Sequence, residues 1–137
     1  MKKEVKFIWS FWCNNPYYEK GKKYDFGDCV IRAIGRVTGM SWFEIYDLLA
    51  AKGREYGSFG NWKQVYEQVL SDLGFVWVSI PRAKGKKAMN VERFIKEHEQ
   101  GGYILRLAHH LTSVLDGCCY DTFYPQGSTV YGYWTKK

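Results

Sequence analysis

The residues of this sequence best suited to nucleophilic or metal chemistry are 4 cysteines and 3 histidines. They stand as Cys13, Cys29, Cys118 and Cys119, and as His98, His109 and His110. A structural zinc site does not fit them. No Cys-x-x-Cys knuckle occurs, and Cys118-Cys119 and His109-His110 are adjacent pairs. Neighbours on a strand point to opposite faces, so each pair offers one ligand at most. An even cysteine count suggests a disulfide framework only in a secreted setting. The opening MKKEVKFIWSFWCNNP is basic but has a short aromatic stretch and no small-residue cleavage site, so it reads as part of the fold. Free thiols in the cytoplasm are therefore expected, with no metal and no cofactor. The stretch Gly57-Ser58-Phe59-Gly60 lacks the lysine of a phosphate loop.

Among the cysteines, Cys29 has the setting a nucleophile needs. It follows Gly27-Asp28 and falls in the first turn of an expected apolar helix, whose N-terminus favours thiolate over thiol. The competing reading is a small buried core residue. A base is needed next. His98 lies in Lys-Glu-His-Glu, a charged helix face, and reads as a solvated histidine. His109 and His110 close one strand and open another, so one should face the cleft and the other its opposite.

Asp116-Gly117 selects between them as a two-residue hairpin turn. With those two residues as the loop, 115 pairs with 118, 114 with 119, 113 with 120 and 112 with 121. Asp121 then shares a face with Thr112, and Thr112 with His110, close enough for the carboxylate to orient the imidazole. His109 faces away, and a different loop length would shift this register. Asp116, the rival carboxylate, is committed to the turn. The candidate nucleophile, base and orienting acid are Cys29, His110 and Asp121.

The elements that must hold them read as one α+β domain over residues 1–137, with N-terminal helices packed on a C-terminal antiparallel sheet. Residues 3–12 suit a strand, and the polar segment 14–27 a loop. Asp28 is a good N-cap for a helix through Val37, which Gly39 ends. Ser41 to Glu44 is a capping box for a second helix to about Lys52, stopped by Gly53. A third helix spans 61–73, with Gly74 as its stop. Phe75 to Ile80 is a strand closed by Pro81. Asn90 caps a short helix over 91–99, and strands follow at 103–109, 111–115, 118–124 and 129–134.

Composition narrows the remaining classes. Hydrophobic residues make up 46% and charged residues 25%, which excludes disorder as the main state. No apolar run approaches the roughly 18 residues of a membrane span. The net charge of +6 permits nucleic-acid binding, but the lysine runs Lys2-Lys3, Lys20 to Lys23, Lys84 to Lys87 and Lys136-Lys137 lie in loops and at the chain ends. No Arg-rich helix accompanies them, so a solvated surface is the stronger reading. Arg32, one turn after Cys29, is placed to pair with an acid. The 6 tryptophans fit core packing better than a substrate groove.

The segments Gly27-Asp28-Cys29-Val30-Ile31-Arg32-Ala33-Ile34 and His110-Leu-Thr-Ser-Val-Leu-Asp-Gly-Cys-Cys-Tyr-Asp121 resemble those of small papain-like cysteine peptidases. The nearest group is the bacteriocin-processing, double-glycine-leader peptidases and their small bacterial and phage-encoded relatives. These place Asp-Cys at the start of the central helix, then a His-x-x-x-Val strand, then Tyr-Asp on the next strand. The resemblance spans about residues 24–40 and 102–124. It implies a papain-like fold and a cysteine hydrolase acting on a peptide or isopeptide bond of a peptide or protein substrate. The implied roles are nucleophile for Cys29, general base and acid for His110, and orienting group for Asp121.

One departure from the family pattern stands out. Papain-like peptidases usually supply an oxyanion-hole Gln a few residues before the Cys. Here that stretch is Lys22-Lys23-Tyr24-Asp25-Phe26, and Asn14 and Asn15 are further upstream. Losing such a donor costs roughly 10²–10³ in rate. A weakened or inactive homologue that binds a protein or nucleic acid is therefore an alternative. So is a transglutaminase- or deamidase-type acyl transferase on the same frame.

Overall fold

A computed structural model of the chain describes residues 8–23, 26–82 and 84–136. Residues 3–7 of the expected first strand, Lys2-Lys3, Tyr24, Asp25 and Lys137 lie outside the described residues. In chain order the elements are β1 (Ile8–Phe11), α1 (Cys29–Thr38), α2 (Trp42–Tyr56), α3 (Lys63–Asp72), β2 (Phe75–Ser79) and α4 (Val91–Glu97). β3 (Gly102–Leu107), β4 (His110–Leu115), β5 (Cys118–Asp121) and β6 (Gly132–Lys136) follow. The fold is α+β, with a six-stranded sheet in the order β1-β5-β4-β3-β6-β2. No described helix is long and apolar enough to cross a membrane.

The sheet is mixed, which corrects the antiparallel expectation. β1 lies parallel to β5, with Phe11 opposite Asp121. Parallel neighbours need a long crossover, and the helices between β1 and the later strands supply it. Just past β1, the Trp12 backbone N–H donates to the Asp121 carbonyl at 3.1 Å, which fixes the strand end that carries the acid.

Two cores lie on opposite faces of the sheet. On one, Val30, Ile31, Ala33 and Ile34 of α1 pack with Ile45, Leu49, Ile104, Leu111 and Trp134. On the other, Val91, Phe94 and Ile95 of α4 pack with Leu105, Leu107, Val114, Cys119 and Val130. The alternation of Ile104 and Leu105 between the two cores is the period of two that a doubly covered strand requires. Burying each such side chain contributes about 1.5–3 kcal/mol, so α1 is held against the sheet by its apolar face.

The β4–β5 hairpin has the expected register: Leu115 opposes Cys118, Val114 opposes Cys119 and Ser113 opposes Tyr120. Asp116 and Gly117 have φ of 48° and 80°, the left-handed pair that a two-residue turn of this kind demands. Asp116 Oδ1 also accepts the Gly101 N–H at 2.9 Å, which explains a non-glycine residue there.

Several boundaries differ from the expectations, each for a local reason. α2 runs past Gly53 to Tyr56, and its left-handed cap is Gly57. Gly53 is needed for a close approach instead: a Cβ there would stand 2.5 Å from the Ser58 carbonyl oxygen. β3 stops at Leu107 because Ala108 and His109 form a second tight turn, with His109 at φ 54° and Leu107 opposite His110. β5 ends at Asp121 rather than at 124, and α4 ends at Glu97 rather than at 99.

Candidate functional site

Cys29 is the first residue of α1, and the apolar face of that helix fixes its height above the sheet. Asp28, expected as the N-cap, makes no capping bond. Its buried carboxylate accepts from Arg32 Nε at 3.0 Å, Asn15 Nδ2 at 3.0 Å and Trp42 Nε1 at 2.8 Å. Three donors satisfy a buried carboxylate better than an exposed cap would, so Asp28 ties the loop, α1 and α2 together just before the cysteine.

The three candidate residues converge where β4 starts and β5 ends. His110 Nε2 lies 2.7 Å from Asp121 Oδ2. Cys29 hydrogen-bonds the His110 side chain, and with Nε2 committed to the carboxylate the nitrogen left for sulfur is Nδ1. Asp121 Oδ1 accepts from Arg32 Nη1 at 2.8 Å and from the Thr122 N–H at 2.7 Å. Arg32 therefore bridges two buried acids, Asp28 and Asp121, and locks the first turn of α1 to the strand bearing the acid. The Phe123 ring lies 4.8 Å from the imidazole, centroid to centroid.

Electrostatics favour an ion pair. Burial by itself would raise the Cys29 pKa, but the hydrogen bond with His110, the charge of His110, a backbone hydrogen bond from Leu111 and the charge of Arg32 outweigh it and hold the thiol below its ordinary value. Burial would lower the His110 pKa, yet the bonds to Asp121 and then to Cys29 raise it to about 9. Asp121 is opposed by burial but kept below the usual carboxylate range, chiefly by its bond to His110. Both shifts favour a thiolate beside an imidazolium over a neutral thiol beside a neutral imidazole. Cys119 is the opposite case, pushed up to about 12 mainly by burial. All four cysteines are free.

One open groove reaches Cys29, and a second adjoins it. A cavity of about 820 Å³ is lined by Cys29, His110, Asn61, Lys63, Tyr66 and Arg106, among others. A second, of about 620 Å³, is walled by aromatic side chains including Tyr17, Phe26, Trp42, Tyr46 and Phe59. The two share Gly27, Val30 and Asn61.

The remaining expectations are partly corrected. His109 does not face away: its place in the tight turn puts it on the wall of the Cys29 cavity. His98 is not simply solvated, since its ring stacks on Phe94 at 3.9 Å and its Nδ1 lies 2.9 Å from the Phe94 carbonyl. Trp134 is core, as expected, whereas Trp42 walls a groove. Asn14 and Asn15 do not offer an amide to Cys29. Asn15 is bound to Asp28, and Asn14 Nδ2 lies where a Cβ on Gly35 would be.

Sequence reasoning missed Arg106, Lys63, Tyr66 and Asn61. A charged residue in the alternation slot after Ile104, in the otherwise apolar run Tyr103 to Leu107, was the available sign for Arg106. Among the described residues, no group of three His, Cys, Asp or Glu side chains is arranged to hold a metal ion. Comparison of the chain with protein-family models, curated proteins and solved structures found no match in any of the three.

Proposed function

We propose that the chain is a cysteine hydrolase of papain-like fold that cleaves a peptide or isopeptide bond through a thioester acyl-enzyme. The observation that carries this reading is the continuous chain of contacts from Cys29 through His110 and Asp121 to Arg32. In the proposed reaction, Cys29 Sγ attacks the scissile carbonyl carbon, and His110 gives its Nδ1 proton to the departing amine. The neutral imidazole then takes a proton from water as the water oxygen attacks the thioester. The acid leaves and the thiolate–imidazolium pair returns. The Cys29 backbone N–H is one donor for the developing oxyanion. Asp121 and Arg32 are positioning residues that act through His110. A reducing compartment such as the cytoplasm fits four free thiols.

A second reading is a scaffold of the same fold that binds without turnover. The engagement of Asn15 by Asp28 favours it, because it withdraws the nearest upstream amide from the oxyanion position. Intact-mass measurement with a peptidyl acyloxymethyl ketone, beside turnover of the matching fluorogenic peptide, separates the two. A hydrolase takes one equivalent on Cys29 and also turns the peptide over. Labelling without turnover supports the scaffold, and no labelling at Cys29 overturns the hydrolase.

A further inference from the structure

We infer that the larger groove selects peptide substrates with an acidic side chain beside the scissile bond, and that Arg106 is the residue that reads it. This inference rests on the hydrolase reading above and names its substrate class.

The groove that holds Cys29 and His110 is lined, among the described residues, by Arg32, Lys63 and Arg106 and by no Asp or Glu. The three cations are not equivalent. Arg32 is neutralised by Asp28 and Asp121. Lys63 lies on the rim, half-exposed, with Glu67 at 3.6 Å. Arg106 is partly buried and makes no ion pair with any described residue. Cys29 and His110 together add no net negative charge, so the groove keeps a net positive charge centred on Arg106.

The position is also rigid. Arg106 lies in β3, opposite Leu111 of β4 on one side and Gly132 of β6 on the other. It shares the α1-facing side of the sheet with Leu111. Tyr66 relates it to the nucleophile. Burial raises the Tyr66 pKa, the charge of Arg106 opposes that rise, and the charge of Cys29 adds to it. The cation and the thiolate are thus both within electrostatic reach of one buried phenol. A guanidinium with no counter-ion among the described residues, in a half-buried wall, is stabilised when an anion completes it, and its planar fork matches a carboxylate.

The test uses three acyloxymethyl ketones that differ only in Glu, Gln or Lys at the residue beside the warhead. The inactivation rate at Cys29 is divided by the same protein's rate with iodoacetamide, which carries no side chain for the groove to read. The Glu probe should outpace the Lys probe by roughly tenfold at low salt, with the gap narrowing as salt is added. Arg106→Glu should reverse the order. Lys63→Glu, an exposed change, should narrow the gap by a smaller factor and covers the case in which the strand variant fails to fold.

Equal normalised rates for the Glu and Lys probes, with Cys29 still alkylated by iodoacetamide well below pH 8, overturn the acidic preference and leave the hydrolase standing. A Cys29 inert to iodoacetamide and to all three probes overturns both.

Discussion

Cys29 and Cys119 are the same side chain in two mostly buried settings, and burial raises the pKa of both. Cys119 sits inside the core beneath α4, with the Thr112 hydroxyl as its favourable partner and the negative charge of Asp121 against it. Cys29 stands at the first turn of α1 with an imidazolium, a backbone donor and the Arg32 charge in its favour. What separates the activated thiol from the filler is the set of positive partners that the fold brings to the sulfur. Those partners come from β4 and from α1 itself, far apart in sequence, and Arg32 ties α1 to Asp121 of the next strand, β5.

The largest effect on this contrast should come from the sulfur itself. Cys29→Ser should remove turnover of any substrate by several orders of magnitude, as removal of a covalent nucleophile does in comparable triads, whereas Cys118→Ser should not; fluorogenic peptide turnover reads both. Asp121→Asn comes next. It leaves an amide opposite His110 Nε2, drops the imidazole pKa from about 9 towards its ordinary range and lowers turnover by roughly 10³–10⁴, the scale seen when a triad acid is neutralised. The pH–rate profile should move with it.

Arg32→Met breaks the tie rather than the chemistry. Two buried carboxylates, Asp28 and Asp121, lose their shared cation, so denaturant unfolding should report a loss of about 3–5 kcal/mol. His110 adds a pH signature. Its folded pKa is raised above the unfolded value, so its contribution to stability is complete below about pH 6.5 and is lost as pH climbs through about 9. The melting temperature of the wild type should exceed that of His110→Gln at pH 6 and converge on it by pH 10, with a difference of up to about 3 kcal/mol between those limits. The smallest effect should be Cys119→Ala, about 1 kcal/mol of lost packing with no change in labelling at Cys29.

The geometry of the candidate site was legible because one local feature controls it. Asp116-Gly117 permits only a tight turn, the turn sets the register, and the register puts His110 and Asp121 on one face. Helix α1 was legible from its apolar run. What escaped reading depends on partners distant in sequence. Asp28 looks like an N-cap until Arg32, Asn15 and Trp42 converge on it. Gly53 looks like a stop until the loop at Ser58 packs on it. The parallel placement of β1 follows from the edge that β5 leaves free, which no pattern within Ile8 to Phe11 specifies. Arg106 was hidden because the groove it lines exists only once β3, α1 and α3 are assembled.

The thiolate–imidazolium pair is the centre of this account, and alkylation of the native protein with iodoacetamide across pH 4–9 tests it most directly. Wild type and His110→Ala are compared, and the modified cysteine is mapped by mass spectrometry. Cys29 alone should react well below pH 8, and the variant should shift that profile towards the ordinary thiol pKa of about 8.5. A Cys29 that is inert, or that titrates as an unperturbed thiol in both proteins, would contradict the account.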